Sequence, residues 1–101
     1  MTNSVKLSIA KIRNACRQGP RSLVSLTHAG VVGGEFGITA LSAREIVRRL
    51  VAVGELSVSF DNCHCQVFTV NRSVPAGTLL RQAEREGSTT YLMIAAHGVE
   101  K

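Results

Sequence analysis

The chain has 101 residues, 45% of them hydrophobic, with three Phe, one Tyr and no Trp. This length predicts one domain with a modest core of Val, Leu, Ile and Ala, small enough for a second copy to contribute to stability. No stretch approaches the roughly 18 apolar residues that a membrane span requires, and no apolar leader opens the chain, so a soluble cytoplasmic protein is expected.

The net charge is +5, and it is unevenly spread. Lys6, Lys11, Arg13, Arg17 and Arg21 all precede the first acid, Glu35. From Glu35 on, seven basic and seven acidic residues cancel. A cationic first third predicts a polyanionic partner, nucleic acid above all.

Residues 4–18 predict a first helix. Val5, Ile9, Ile12 and Cys16 recur at helical spacing, and Lys6, Arg13 and Arg17 form a second stripe beside them. Gly19-Pro20 ends it, and Pro20 can open a second helix over 21–28 with Leu23, Val24 and Leu26 inward. His28 near that end reads as a surface or dipole-facing residue, and Gly30 as the stop. Residues 31–39, VVGGEFGIT, predict either a short hairpin or an extended loop, with Gly33-Gly34 as its turn. The run lacks the GxxxxGK[ST] pattern of a phosphate cradle.

The strongest signal is 41–70, LSAREIVRRLVAVGELSVSFDNCHCQVFTV. Ser42 and Glu45 have the spacing of a capping box, and Leu41 and Ile46 that of a hydrophobic staple. Ile46, Val47, Leu50 and Val53 make one apolar stripe, and Gly54 supplies a stop, so a third helix is predicted over 43–53. Alternation then predicts a hairpin. Leu56, Val58 and Phe60 point one way, and Glu55, Ser57 and Ser59 the other. A two-residue Asp61-Asn62 turn pairs Phe60 with Cys63, Val58 with Cys65 and Leu56 with Val67, all six on one face; a slightly longer loop is the alternative. Ser57, Ser59, His64 and Gln66 make the polar face.

After a connector at 71–75, residues 76–86 predict a short helix with Leu79, Leu80 and Ala83 inward. TTYLMIAA, residues 89–96, predicts a further strand or a surface that buries against a second copy. The cysteine count of three is odd. Free buried thiols in a reducing compartment are the expectation. Cys63 and Cys65, two apart on a strand face, are poorly placed to bridge each other. Cys63-His64-Cys65 suggests a metal, but His64 points to the opposite face of the strand and a tetrahedral site needs more ligands, so none is expected. No cofactor fingerprint, paired carboxylates or nucleophile–base spacing occurs, and an enzyme is not expected.

The order helix, helix, helix, two-stranded ribbon, carried by AREIVRRLVAVGELSVSF and CQVFTV, resembles the winged helix-turn-helix family. The Leu50 to Gly54 spacing matches the Leu-x-x-x-Gly turn that usually ends the family's third helix. The resemblance implies an α+β fold, with three helices and a wing over 1–72. A C-terminal helix and strand extension, 73–101, would pack on that domain or form a dimer contact. It also implies that Ser42, Arg44, Arg48 and Arg49 face a DNA major groove and that Asp61 and Asn62 form the wing tip; Arg49 could alternatively pair with Glu45 at i,i+4. Lys6, Lys11, Arg13, Arg17 and Arg21 would then neutralise phosphates. The function expected is a sequence-specific regulator of double-stranded DNA, homodimeric, of a kind encoded by bacteria, plasmids or phages. The alternative is a protein-binding module, such as a phage-encoded inhibitor of a host nuclease or defence complex.

Overall fold

The structure is a computed structural model, and it describes residues 3–35 and 37–85. Three helices, α1 (Asn3–Arg17), α2 (Leu23–Gly30) and α3 (Ala40–Ala52), precede an antiparallel ribbon of β1 (Leu56–Phe60) and β2 (Gln66–Val70). A fourth helix, α4 (Thr78–Arg85), follows. The fold is α+β. No helix among the described residues is long and apolar enough to cross a membrane. The run 89–96, expected as a strand or self-association surface, lies outside the described residues.

The apolar stripe of α1 is buried as its spacing requires, with Val5, Ile9, Ile12 and Cys16 in the core. They meet Leu26 of α2, Ile46, Val47 and Leu50 of α3, Leu56 and Phe68 of the ribbon, and Leu79 and Ala83 of α4 in one hydrophobic cluster. α1 and α2 approach closely at Gly30. Ser8 Oγ donates to the Gly30 carbonyl at 2.6 Å, and a Cβ at residue 30 would lie 2.8 Å from Ile12 Cδ1.

Two helix starts differ from the sequence expectation. Arg21 does not begin α2. Its N–H and C=O pair with Phe68 of β2, at 3.1 and 2.8 Å. With its backbone committed to the ribbon, the helix starts after Ser22, whose hydroxyl accepts the Ser25 N–H. Val24, expected inward, is 67% exposed, because Leu23, Leu26 and Gly30 already fill the inner face of this short helix. Likewise α3 begins at Ala40 rather than 43. Thr39 is its N-cap, and its Oγ1 accepts the Ser42 N–H at 3.3 Å. Ile38 and Ala43 then occupy the staple positions, both buried. Ile38 is also held by a two-bond antiparallel bridge to Val32, which agrees with the short-hairpin alternative for this run. The Thr39 cap thus sets the start of the helix.

The end of α3 follows expectation. Gly54 sits at φ +88. The Glu55 N–H reaches Leu50 O at 2.9 Å and the Gly54 N–H reaches Val51 O at 3.0 Å, the two bonds of a Schellman motif.

The ribbon register is a correction. Leu56 pairs with Val70, Val58 with Phe68 and Phe60 with Gln66. The connection is five residues, 61–65, not a two-residue turn. Asp61 closes it: its N–H donates to Cys65 O, its C=O accepts from His64 N–H, and its Oδ1 accepts from the N–H groups of Cys63 and Cys65 at 2.8 and 2.9 Å. This register buries the ring of Phe68, a larger apolar gain than burying Val67. It leaves Cys63 and Cys65 exposed in the loop rather than inward on a strand, and Phe60 64% exposed.

Glu55 is the other correction. Alternation turns it outward with Ser57 and Ser59, yet it is fully buried. Its Oε1 accepts from Arg13 Nη1 at 2.7 Å, and its carboxylate also accepts the N–H groups of Gly77 and Leu79 at 3.3 and 2.6 Å. It therefore pairs with α1 and caps the N-terminus of α4. Removing either partner leaves a buried charge uncompensated. Arg13→Ala and Glu55→Ala should each lower stability by about 3–5 kcal/mol in urea denaturation. Glu55→Ala should in addition speed amide exchange at Leu79 beyond the rise that the stability loss alone produces in Arg13→Ala. Losses below about 1 kcal/mol in both variants would show that the pair does not organise the fold.

Candidate nucleic-acid interface

The outward face of α3 carries Leu41, Arg44 and Arg48, all exposed. Arg44 and Arg48, four residues apart, share one side of the helix. They line a groove of about 320 Å³ between α3 and the ribbon. Its apolar lining comes from Leu23, Val47, Val51, Val58 and Phe68, and its polar lining from the two arginines and Gln66. On their other side, with Leu41 and Glu45, the same arginines line a shallower depression of about 150 Å³. Each guanidinium presents five N–H donors in a planar fork, and Gln66 adds a donor and an acceptor from β2. Gln66 is exposed, as alternation predicts, and the register pairs it with Phe60, where it lines the groove beside α3.

The remaining expected contact residues divide. Lys6, Lys11 and Arg17 are exposed along α1, and Asn62 is exposed at the ribbon tip. Ser42 is buried, at 1% exposure, and does not face outward; with Thr39 as the cap it lies inside the first turn of α3, on the core side. Arg13, expected on phosphates, is buried against Glu55. It stands four residues after Ile9, at the edge of the core stripe, and that spacing was the available signal. Arg49 lies beside Glu45, Nε to Oε2 at 2.8 Å. Arg21 is half-buried, and its Nε donates to Ala15 O, one of the last carbonyls of α1, at 3.4 Å. That contact suits a cation at a helix C-terminus.

A second cleft, of about 600 Å³, lies between the end of α1, β2 and the 71–76 connector. Arg17 and Arg72 line it with Thr69 and Cys16. Arg72 is exposed, in a stretch where the sequence pattern signals only a connector. Burial pushes the Cys16 thiol above its ordinary pKa, and the nearby Arg21 and Arg13 offset this only in part. Among the described residues no group of three or more His, Cys, Asp or Glu side chains converges into a metal-binding cluster.

Comparison with known proteins finds no matching family model, no matching curated protein and no matching solved structure.

The tip of the ribbon owes its shape to one carboxylate. Asp61→Ala removes the acceptor for two backbone N–H groups. Amide exchange at Cys63 and Cys65 should then rise by about tenfold, equivalent to roughly one hydrogen bond each, with the core amides of α3 unchanged. Unchanged exchange at both cysteines would show that the backbone bonds of residues 61–65 alone define the loop.

Proposed function

We propose that this chain is a sequence-specific double-stranded DNA-binding regulator of the winged helix-turn-helix kind, with α3 as the reading helix and the β1–β2 ribbon as its wing. The observation that carries this reading is the exposed pair Arg44 and Arg48, on one face of α3 and beside the ribbon. An arginine can bind guanine O6 and N7 with two hydrogen bonds, which discriminates bases by about 1–3 kcal/mol. Three further features support it. The ribbon follows α3 directly, through the turn at Gly54. The Arg21–Phe68 bridge ties the start of α2 to the ribbon, so helices and wing form one body. Glu45, the one acid within α3, is paired with Arg49, and Glu55 just beyond the helix is buried against Arg13, so neither stands unopposed beside the exposed arginines.

Lys6, Lys11 and Arg17 serve as phosphate contacts in this reading, and Asn62 as the wing-tip contact. Ser42 and Arg13 drop out of the interface, and Arg49 and Arg21 act chiefly within the fold. A homodimer of such domains reads two half-sites about 34–36 Å apart.

A second reading, a protein-binding module, is favoured by Phe60 and Val24, two large apolar side chains more than 60% exposed. Isolated exposed apolar residues are common on protein surfaces. The charged face of α3 therefore weighs more.

The test is fluorescence anisotropy against genomic fragments at two salt concentrations. Specific binding should survive near-physiological salt. Arg44→Ala and Arg48→Ala should each relax the sequence preference by about 1–3 kcal/mol. Lys11→Ala and Arg17→Ala should weaken binding to all sequences and reduce the salt slope by about one each. Equal, sequence-blind losses from all four variants would remove α3 as the reader. Absence of DNA binding, with a protein co-purifying with the tagged chain, would favour the second reading.

A further inference from the structure

The three cysteines fall into two chemical environments. Cys16 is 3% exposed, inside the core, with its thiol pKa raised by burial. Cys63 and Cys65 are both exposed and share the five-residue tip of the ribbon. On an extended strand, residues two apart have Cα atoms about 6.6–6.8 Å from one another and side chains running parallel. That separation is the upper limit for a disulfide, which spans about 4.4–6.8 Å. The tip is not extended. His64, between the two cysteines, has φ +62, in the left-handed region. A residue in that region folds the chain back on itself and brings its two neighbours closer than a strand does. The Cys65 side chain turns back toward residue 63, its Sγ 3.9 Å from the Cys63 carbonyl oxygen. The hydrogen bonds of Asp61 to the amides of both cysteines hold this folded tip.

We infer that Cys63 and Cys65 form a redox-active dithiol site at the ribbon tip, which small-molecule disulfides close to an intrachain disulfide and small thiols reopen. One cysteine thiolate attacks a sulfur of the external disulfide R–S–S–R, making a mixed disulfide and expelling RS⁻. The second thiolate attacks the protein-side sulfur of that mixed disulfide, forming the Cys63–Cys65 bond and expelling the second RS⁻. Two protein thiols are oxidised, and one external disulfide is reduced to two thiols. Cys16 takes no part, because a buried thiol of raised pKa supplies little thiolate and offers no access. Ring closure at a tip of five residues constrains the shape of the whole loop. The inference holds whether or not the ribbon touches DNA.

The test uses the whole folded chain, equilibrated with mixtures of reduced and oxidised glutathione, acid-quenched and mapped by mass spectrometry. The wild type should lose two thiols with no glutathione retained, and Cys16 should be alkylated only after denaturation. Cys63→Ser and Cys65→Ser, both at exposed positions, should each hold one glutathione that the wild type resolves. The double variant Cys63→Ser/Cys65→Ser should take up none. A wild type that keeps one glutathione on each cysteine would overturn the inference. So would one that forms only chain-to-chain disulfides, or that stays reduced under excess oxidised glutathione.

Discussion

Glu55 holds a carboxylate out of contact with water, and four parts of the chain converge on this one residue. Its side chain pairs with Arg13 of α1 and accepts two N–H groups at the start of α4. Its backbone N–H closes the end of α3 on Leu50 O, and its carbonyl accepts from Asn71 after the ribbon. A buried carboxylate is strongly unfavourable unless its lone pairs are satisfied in good geometry. The first helix, the end of the third and the start of the fourth must therefore all be in place together. An ion pair so enclosed adds little net stability over an apolar replacement, but its loss on one side is severe. In this fold it acts as a constraint on arrangement.

That constraint also sorts the positive charge. A count of basic residues treats Arg13 and Arg17 alike, four apart on one stripe of α1. Arg13 is withdrawn by Glu55, whereas Arg17 remains outside beside Arg72. On α3, Arg49 is drawn to Glu45 one turn earlier, and Arg44 and Arg48 stay exposed beside the groove. The outward cations are thus those left by the internal pairing. Of these, Arg44 and Arg48 stand next to the ribbon, and the proposed function rests on that pair.

The ribbon shows how one residue resets a register. Asp61 gathers three backbone N–H groups and one carbonyl into a five-residue loop, which places Phe68 rather than Val67 on the buried face. Phe68 also receives the Arg21 bridge from the chain before α2. The choice of turn therefore reaches the helix bundle. It also decides the chemistry of the tip, because Cys63 and Cys65 leave the strand and enter the loop.

Local signals in the sequence determined the helices. The core stripe of α1, the inward residues of α3, and the Gly54 stop with its Schellman bonds depend on spacing and on backbone freedom, which neighbours in sequence settle. The existence of a hairpin after α3 was equally legible. Three things were not. The start of α3 was legible only as Ser42, whereas the Thr39 cap, next to the Ile38 that bridges to Val32, sets it three residues earlier, at Ala40 rather than 43. Alternation alone put Glu55 in solvent, because its partners are 42 and 24 residues away, at Arg13 and Leu79. Strand pairing fixed the register through Asp61 and Phe68, which no period-two pattern ranks. Of the candidate interface, Arg44, Arg48, Lys6, Lys11, Arg17 and Asn62 were placed at the surface by pattern. Ser42 and Arg13 were turned inward, and Arg49 and Arg21 were drawn into contacts within the fold. Periodicity reports which side of an element is apolar; only contacts between distant segments decide which polar groups must be buried and paired.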